Sequence, residues 1–292
     1  MANIPLRTTP KRIQTRIFIN NFIKFLFLSS VLFACVLLGV LFFRIISEGA
    51  GYLSADFFQN FGSRFPEKAG VKAALIGSIY LMLIVAPVSM FIGICSAIYL
   101  EEYATKNKFT DFLRMNISNL AGVPSVVFGL LGLTIFVRAL AMGNSLLAAG
   151  LTMSLLILPV IIVSSQEAIR SVPKEIREAS YGMGATKWQT IYRVVLPYAI
   201  PAILTGSILA LSRAVGETAP LVVLGIPVIV QFLPDGLLSQ FTALPMQIYD
   251  WAKRPQEAFM YVASAGIIVL LALLIIMNSI AIFLRNKYSK RV

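Results

Sequence analysis

Two charged side chains four residues apart, Arg213 and Glu217, sit in ALSRAVGETAPL (residues 210–221), inside a stretch otherwise apolar enough to cross a membrane. A charge in hydrocarbon is costly, so such a residue faces the protein interior and marks a pathway, a relay or a binding site. Arg213 offers a planar, permanently charged fork suited to bidentate contact with phosphate-like oxyanions. Glu217, one helical turn further on, is placed to hold that fork. Thr218 adds a hydroxyl donor, and Gly216 keeps the adjacent surface clear. The alternative is a pair that only neutralises itself so that insertion is tolerated. Against it, Arg before Glu is the less favourable (i, i+4) order. A self-neutralising pair also gains nothing over two apolar residues.

The elements that must position these residues follow from composition. Of 292 residues, 58% are hydrophobic and only 13% charged, with mean hydropathy +0.83; soluble domains carry about a quarter charged residues. The chain reads as an all-α polytopic membrane protein with about six transmembrane helices. Spans are expected at 22–46, 73–99, 112–137, 145–165, 195–224 and 259–284, each near the roughly 20 apolar residues a crossing needs. The organisation is an N-terminal tail (1–21), a first helix with an outer loop (22–72), a core of five further helices (73–284) and a C-terminal tail (285–292). The apolar run after residue 21 is too long for a cleaved signal peptide and reads as a retained anchor. Residues 225–258 are broken by Pro227, Pro234, Pro245 and Pro255. They read as a structured outer loop with one short interfacial helix around 240–251.

The net charge of +12 raises the question of nucleic acid, but its distribution points to the lipid bilayer. Seventeen of the 25 Lys and Arg fall on one side of the expected spans, from Arg7 through Lys24, Lys106–Arg114, Arg170–Arg193 and Arg285–Arg291. That bias places both termini in the cytoplasm and requires an even number of spans. Cys35 and Cys95 lie in apolar runs, as small buried hydrophobes rather than a disulfide or metal pair. The absence of histidine removes His-dependent catalysis and His-rich metal sites. Pro87, Pro124, Pro159, Pro201, Gly122, Gly129 and Gly132 allow kinks and close helix approach. Gly122, Pro124 and Ser125 let the third span bend, beside a path or simply for packing.

The largest inner loop (166–194) contains EAIRSVPKEIREASYGMGATKWQTIYRVVLP, residues 167–197. Pro173 and Glu175 suit the start of a helix. Gly182 and Gly184 end it, and ATKWQTIYRV begins a second piece that leads into span five. Glu178-Ala179-Ser180, then Gly184, Val194 and Leu196-Pro197 resemble the EAA motif of ABC-importer permeases, with Ser180 and Val194 as departures of similar size. The resemblance implies the type I importer permease (MetI-like) fold, with Glu178, Ala179 and Gly184 in a coupling helix that docks on a cytoplasmic ATPase. The chain has no G-x-x-x-x-G-K-[ST], so ATP hydrolysis is expected on a partner subunit and this chain is not expected to be an enzyme.

RAVGETAPL, AGVPSVVFGLLG (121–132) and FTALPMQIYDWAKRPQEAF (241–259) are similar to the phosphate-specific members of that family, the PstA-type subunits. The resemblance implies a bacterial inner (plasma) membrane subunit of an inorganic phosphate importer. It also implies a PstC-like permease subunit, a PstB-like ATPase dimer that carries ATP-Mg, and a PstS-like phosphate-binding protein as partners. No cofactor is expected in the chain itself. Other readings are another oxyanion (sulfate, molybdate or phosphonate) or an ion-coupled secondary anion transporter with Arg213–Glu217 as a relay.

Overall fold

A computed structural model describes residues 10–105 and 107–289; Arg7, Lys106, Lys290 and Arg291 lie outside that range, as does the start of the expected N-terminal tail. Every regular element among the described residues is helical. Helix α1 (Pro10–Gly49) has 40 residues, about 60 Å of helix, and its apolar window is unburied. The tail boundary expected at 21 therefore falls within a helix. After α2 (Ala55–Gln59), α3 runs from Lys72 to Ile98 and continues as a π turn over Tyr99–Tyr103.

The expected span 112–137 is not one rod. It divides into α4 (Lys108–Leu120) and α5 (Ser125–Gly132, continued by a π segment to Ala139), bent by 104° from each other. The break falls at Ala121-Gly122-Val123-Pro124. Proline has no N–H for the ladder and drives the residue before it away from the helical region, so the helix stops and restarts. Among the described residues, five helices are long and apolar enough to cross a membrane, or six if the bent pair counts as one.

Helix α6 (Leu146–Arg170) is the central one, with a window 67% buried. Helices α7 (Lys174–Gly182) and α8 (Lys187–Thr190) form the inner loop. A π turn at Ile191–Val195 joins α8 to α9 (Leu196–Val215). The expected span 195–224 is thus shortened at its outer end: Gly216 closes α9, and α10 (Ala219–Val223) is a separate piece. Helices α11 (Leu244–Lys253) and α12 (Ala258–Ser289) complete the chain.

Small residues set the helix spacing where α3, α6 and α9 pack. A Cβ on Gly93 would stand 2.6 Å from Ile161, one on Gly150 2.6 Å from Ile84, and one on Gly206 2.5 Å from Ser164. Without side chains at these points the backbones close up, which is how membrane helices gain dispersion contact in place of a hydrophobic drive. The first helix touches the body through its C-terminal end, where Gly49 abuts Ala265 and Tyr52, just beyond it, stacks on Tyr261 at 6.2 Å.

The outer loop is folded into the bundle rather than laid on an interface. Leu244 N–H donates to Ser78 Oγ (2.8 Å), Gln247 Nε2 donates to Gly70 O (3.0 Å), and Phe241, Leu244 and Trp251 are fully buried. The expected interfacial helix is therefore a core element, which starts four residues later than expected. Further out, the Ser239 hydroxyl donates to Asp235 and holds that carboxyl below the usual carboxylate range.

Candidate functional site

Arg213 stands in the last turn of α9, with 62% of its side chain exposed. Because α9 ends at Val215, Glu217 lies past the helix and does not share a regular helical face with the arginine. The chain turns instead through Gly216 N–H to Arg213 O (3.3 Å) and Glu217 N–H to Ala214 O (3.2 Å). Arg213 Nε comes only to 4.0 Å from Glu217 Oε2, outside hydrogen-bond range. Glu217 keeps Coulombic company with the guanidinium but does not clamp it, and the fork is left largely uncommitted.

Two segments remote in sequence meet at this arginine. Arg213 lines a cavity with Leu120, Ala121 and Val123 of the α4–α5 bend and with Ile157 of α6. The cavity holds about 10 Å³, room for about one water molecule. A cavity of that size has no room for an oxyanion, and the open side of the Arg213 side chain is exposed among the described residues. At the bend, Gly122 and Pro124 are exposed and Ser125 is half-buried as the first residue of α5.

The turn after Arg213 is held from the other side. Thr218 occupies the position before α10 and makes no capping hydrogen bond to it. Helix α10 lies on α5, where Gly129 faces Pro220 and Val223. Gly132 in turn allows α5 to approach Thr152 of α6. The close-approach role expected of Gly129 and Gly132 is thus realised, whereas Gly122 has open surroundings and belongs to the bend.

Polar contacts that the sequence reading had not singled out tie α9 to α12. The Ser212 hydroxyl donates to Asn278 Oδ1 (2.6 Å), and Arg285 Nη1 donates to Thr205 Oγ1 (3.3 Å). The positions advance by seven on α9 and recede by seven on α12, two turns of an antiparallel pair. Asn278 is legible in hindsight as a lone amide in an apolar run. Its partner is a serine, which seldom attracts notice in a membrane helix.

At the inner end, Pro173 precedes α7, and Glu178 and Ala179 point outward. Gly184 has φ +84 and carries the reversal between α7 and α8, a conformation open to glycine. Thr186 and Gln189 form a capping box that starts α8. Ser180 is buried, and its hydroxyl shares a 2.9 Å hydrogen bond with that of Thr190. The serine that replaces alanine in the motif is therefore a tie between the two loop helices. Around them Ile176, Tyr181, Met183 (85% exposed), Trp188 and Tyr192 form an uncovered apolar and aromatic surface. Exposed apolar patches of this kind mark contacts with another protein or with the membrane.

Comparison with known proteins agrees with this arrangement. Residues 89–290 match the family model described as "Binding-protein-dependent transport system inner membrane component". The chain is 34% identical over 270 residues to the phosphate transport system permease protein PstA of Mycobacterium leprae, covering 90% of this chain and 86% of that one. It is 37% identical over 194 residues to the probable ABC transporter permease protein YqgI of Bacillus subtilis, covering 66% of each. Among solved structures, a bacterial alginate ABC transporter chain shares the fold with a TM-score of 0.68 at 14% identity, covering 96% of this chain and 99% of that one. A chain of the MetNI methionine ABC transporter does so at 0.55 and 19%, covering 75% and 95%. With the family model matched over most of the chain and the helical fold shared, this protein belongs to the family of binding-protein-dependent transport system inner membrane components.

Proposed function

We propose that this chain is the permease subunit of an ATP-driven importer of inorganic phosphate, forms half of the translocation pathway and couples to a cytoplasmic ATPase. The observation that carries the reading is Arg213: a permanent cation at the outer end of α9, open on one side, beside the broken α4–α5 span. A guanidinium left in lipid is costly, so a pathway or a second permease subunit must cover that side. A dianionic oxyanion on the path would compensate the charge in bidentate geometry. Phosphate is favoured over other oxyanions by the relatives named as phosphate transport permeases.

Partnership with a second permease, an ATPase and a binding protein goes with the family. The reading names them as PstC-like, a PstB-like dimer carrying ATP-Mg, and PstS-like. The exposed aromatic surface around Met183 and Trp188 is the ATPase contact. Both termini lie in the cytoplasm, on the side of Arg114, Arg170 and Arg177. Arg213, Glu217, Thr218 and the Gly122-Pro124-Ser125 bend serve the path, and Glu178, Ala179 and Gly184 serve the coupling surface.

The test is uptake of radiolabelled phosphate into vesicles holding the complete complex, with and without internal ATP, in competition with sulfate, molybdate and a phosphonate. Uptake that needs ATP and yields only to phosphate supports the reading. Competition by sulfate or molybdate at equal concentration moves the substrate to another oxyanion. Uptake that survives removal of ATP and collapses with the ion gradient would overturn the importer class.

A further inference from the structure

The π turn at the inner end of α3 carries two consecutive carboxylates, Glu101 and Glu102, whose side chains are only 9% and 7% exposed. Burying a carboxylate is costly unless it is paired. Each of these is paired, but with different parts of the molecule.

Glu101 is bound inside the bundle. Arg170 of α6 grips both of its oxygens, Nε to Oε2 and Nη2 to Oε1, each at 2.8 Å. Gln166 Nε2 donates to Oε1 at 3.0 Å, and Arg114 of α4 stands 3.5 Å away while also donating to Leu100 O. These contacts join α3, α4 and α6 into one block.

Glu102 instead reaches out to the loop. Its Oε1 lies 3.1 Å from Nη1 of Arg177 on α7. The pair is held by charge rather than by an aligned hydrogen bond, and Arg177 Nε has no partner. The other arm of the guanidinium, Nη2, donates to Ile169 O in the last turn of α6 (2.6 Å), where a cation also suits the helix dipole. Arg177 immediately precedes the outward-facing Glu178. A displacement of α7 is therefore carried to α3 and α6 by one side chain. The Ser180–Thr190 bond carries it to the α9 side.

We infer that Glu102 and Arg177 form an ionic latch that transmits movement of α7 to α3, so that Glu102 is a positioning residue for coupling. Glu101 is the fixed anchor that keeps the π turn in register. The latch rests on the reading of α7 as the ATPase-docking helix. A π turn is a natural place for it, because its looser hydrogen bonding lets consecutive side chains be aimed at separate partners.

The test compares wild type, Glu102→Gln, Arg177→Gln, the double variant and Glu102→Asp in the complete complex reconstituted into vesicles, scored as phosphate moved per ATP hydrolysed. The latch predicts ATPase retained in the complex and hydrolysis that continues, while the transport ratio falls about fivefold or more in either Gln variant, the range of a typical coupling energy. The double variant should be no worse than the poorer single one. Glu102→Asp, which keeps the charge, should recover most of the ratio. An unchanged ratio in Glu102→Gln overturns the latch, as do two losses that multiply in the double variant. For a variant that does not assemble, amide exchange decides: the latch predicts faster exchange at Tyr99–Tyr103 and Lys174–Gly182 together, and acceleration in only one of them overturns it. The docking reading is tested separately by Glu178→Lys. Normal ATPase capture by that variant sinks the docking reading, whereas a normal Glu102→Gln ratio sinks the latch alone.

Discussion

Gly129 of α5 lies directly against Pro220 of α10, so close that a Cβ there would stand 2.9 Å from the proline Cα. This contact locates the turn that follows Arg213, because α10 begins two residues after Glu217. Gly129→Val should push α10 away and cost about 1–3 kcal/mol, the usual range for overpacking a fitted interface. Gly122→Ala meets only Asn119 O, at 3.5 Å, and should be tolerated. Thermal unfolding of both variants in detergent checks the pair: a Gly129→Val midpoint equal to wild type would show that the α5–α10 contact is not tight.

The Ser180–Thr190 bond ties α7 and α8 into a single body. Ser180→Ala restores the third alanine of the EAA pattern yet strands the Thr190 hydroxyl, at a cost of about 1–3 kcal/mol for an unsatisfied buried group. The expected result is faster amide exchange across α7 and α8. Replacing both residues by alanine should recover part of the loss, since no polar atom is then stranded. Exchange unchanged in Ser180→Ala would mean that the two helices are held by other contacts.

Between α9 and α12 the Ser212–Asn278 bond lies one residue from Arg213. Asn278→Leu is expected to lower stability by about 0.6–1.7 kcal/mol, the measured scale of interhelical hydrogen bonds in a membrane. Ser212→Ala should do the same, and the double variant should lose little more than either alone. Unfolding of the four proteins by denaturant measures the coupling; strict additivity would contradict a direct bond.

Much of this architecture is legible in the sequence because apolar runs of more than 20 residues have few alternatives in a bilayer. The glycines and prolines carry further information: α7 does end at Gly182–Gly184, and Gly129 and Gly132 do mark close approaches. What could not be read was where an apolar run stops being a helix. The segments 112–137 and 195–224 remain hydrophobic across their breaks: some residues after the break, such as Phe128, are buried against other helices, while others, such as Val126 and Leu130, stay on an exposed apolar surface. Leu221 of α10 is among the buried ones, packed fully against the core. Arg213 and Glu217 stand out in sequence as two charges in an apolar run, but the sequence does not show that Gly216 takes Glu217 out of the helix. Glu101 and Glu102 look like ordinary interfacial charge in sequence. Only the fold brings Arg114, Arg170 and Arg177 to them, across sequence separations of up to 75 residues.

The apolar and aromatic surface of the inner loop gives a further expectation. Met183→Glu places a charge at the centre of the exposed patch without touching the bundle. It should leave the thermal midpoint unchanged and reduce recovery of the ATPase with the purified complex by about tenfold, equivalent to about 1.4 kcal/mol of binding. Full recovery of the ATPase would assign the patch to another partner.

In the proposed importer, Arg213 serves the anion on its path. This role is tested most directly by ATP-driven phosphate uptake in vesicles holding the complete complex, wild type against Arg213→Ala at matched assembly. Loss of a charged hydrogen-bond donor of about 1.5–3 kcal/mol predicts uptake reduced by about tenfold or more while the complex stays intact. Uptake equal to wild type would contradict the account. It would make ALSRAVGETAPL a structural seam, with the substrate held by the partner permease.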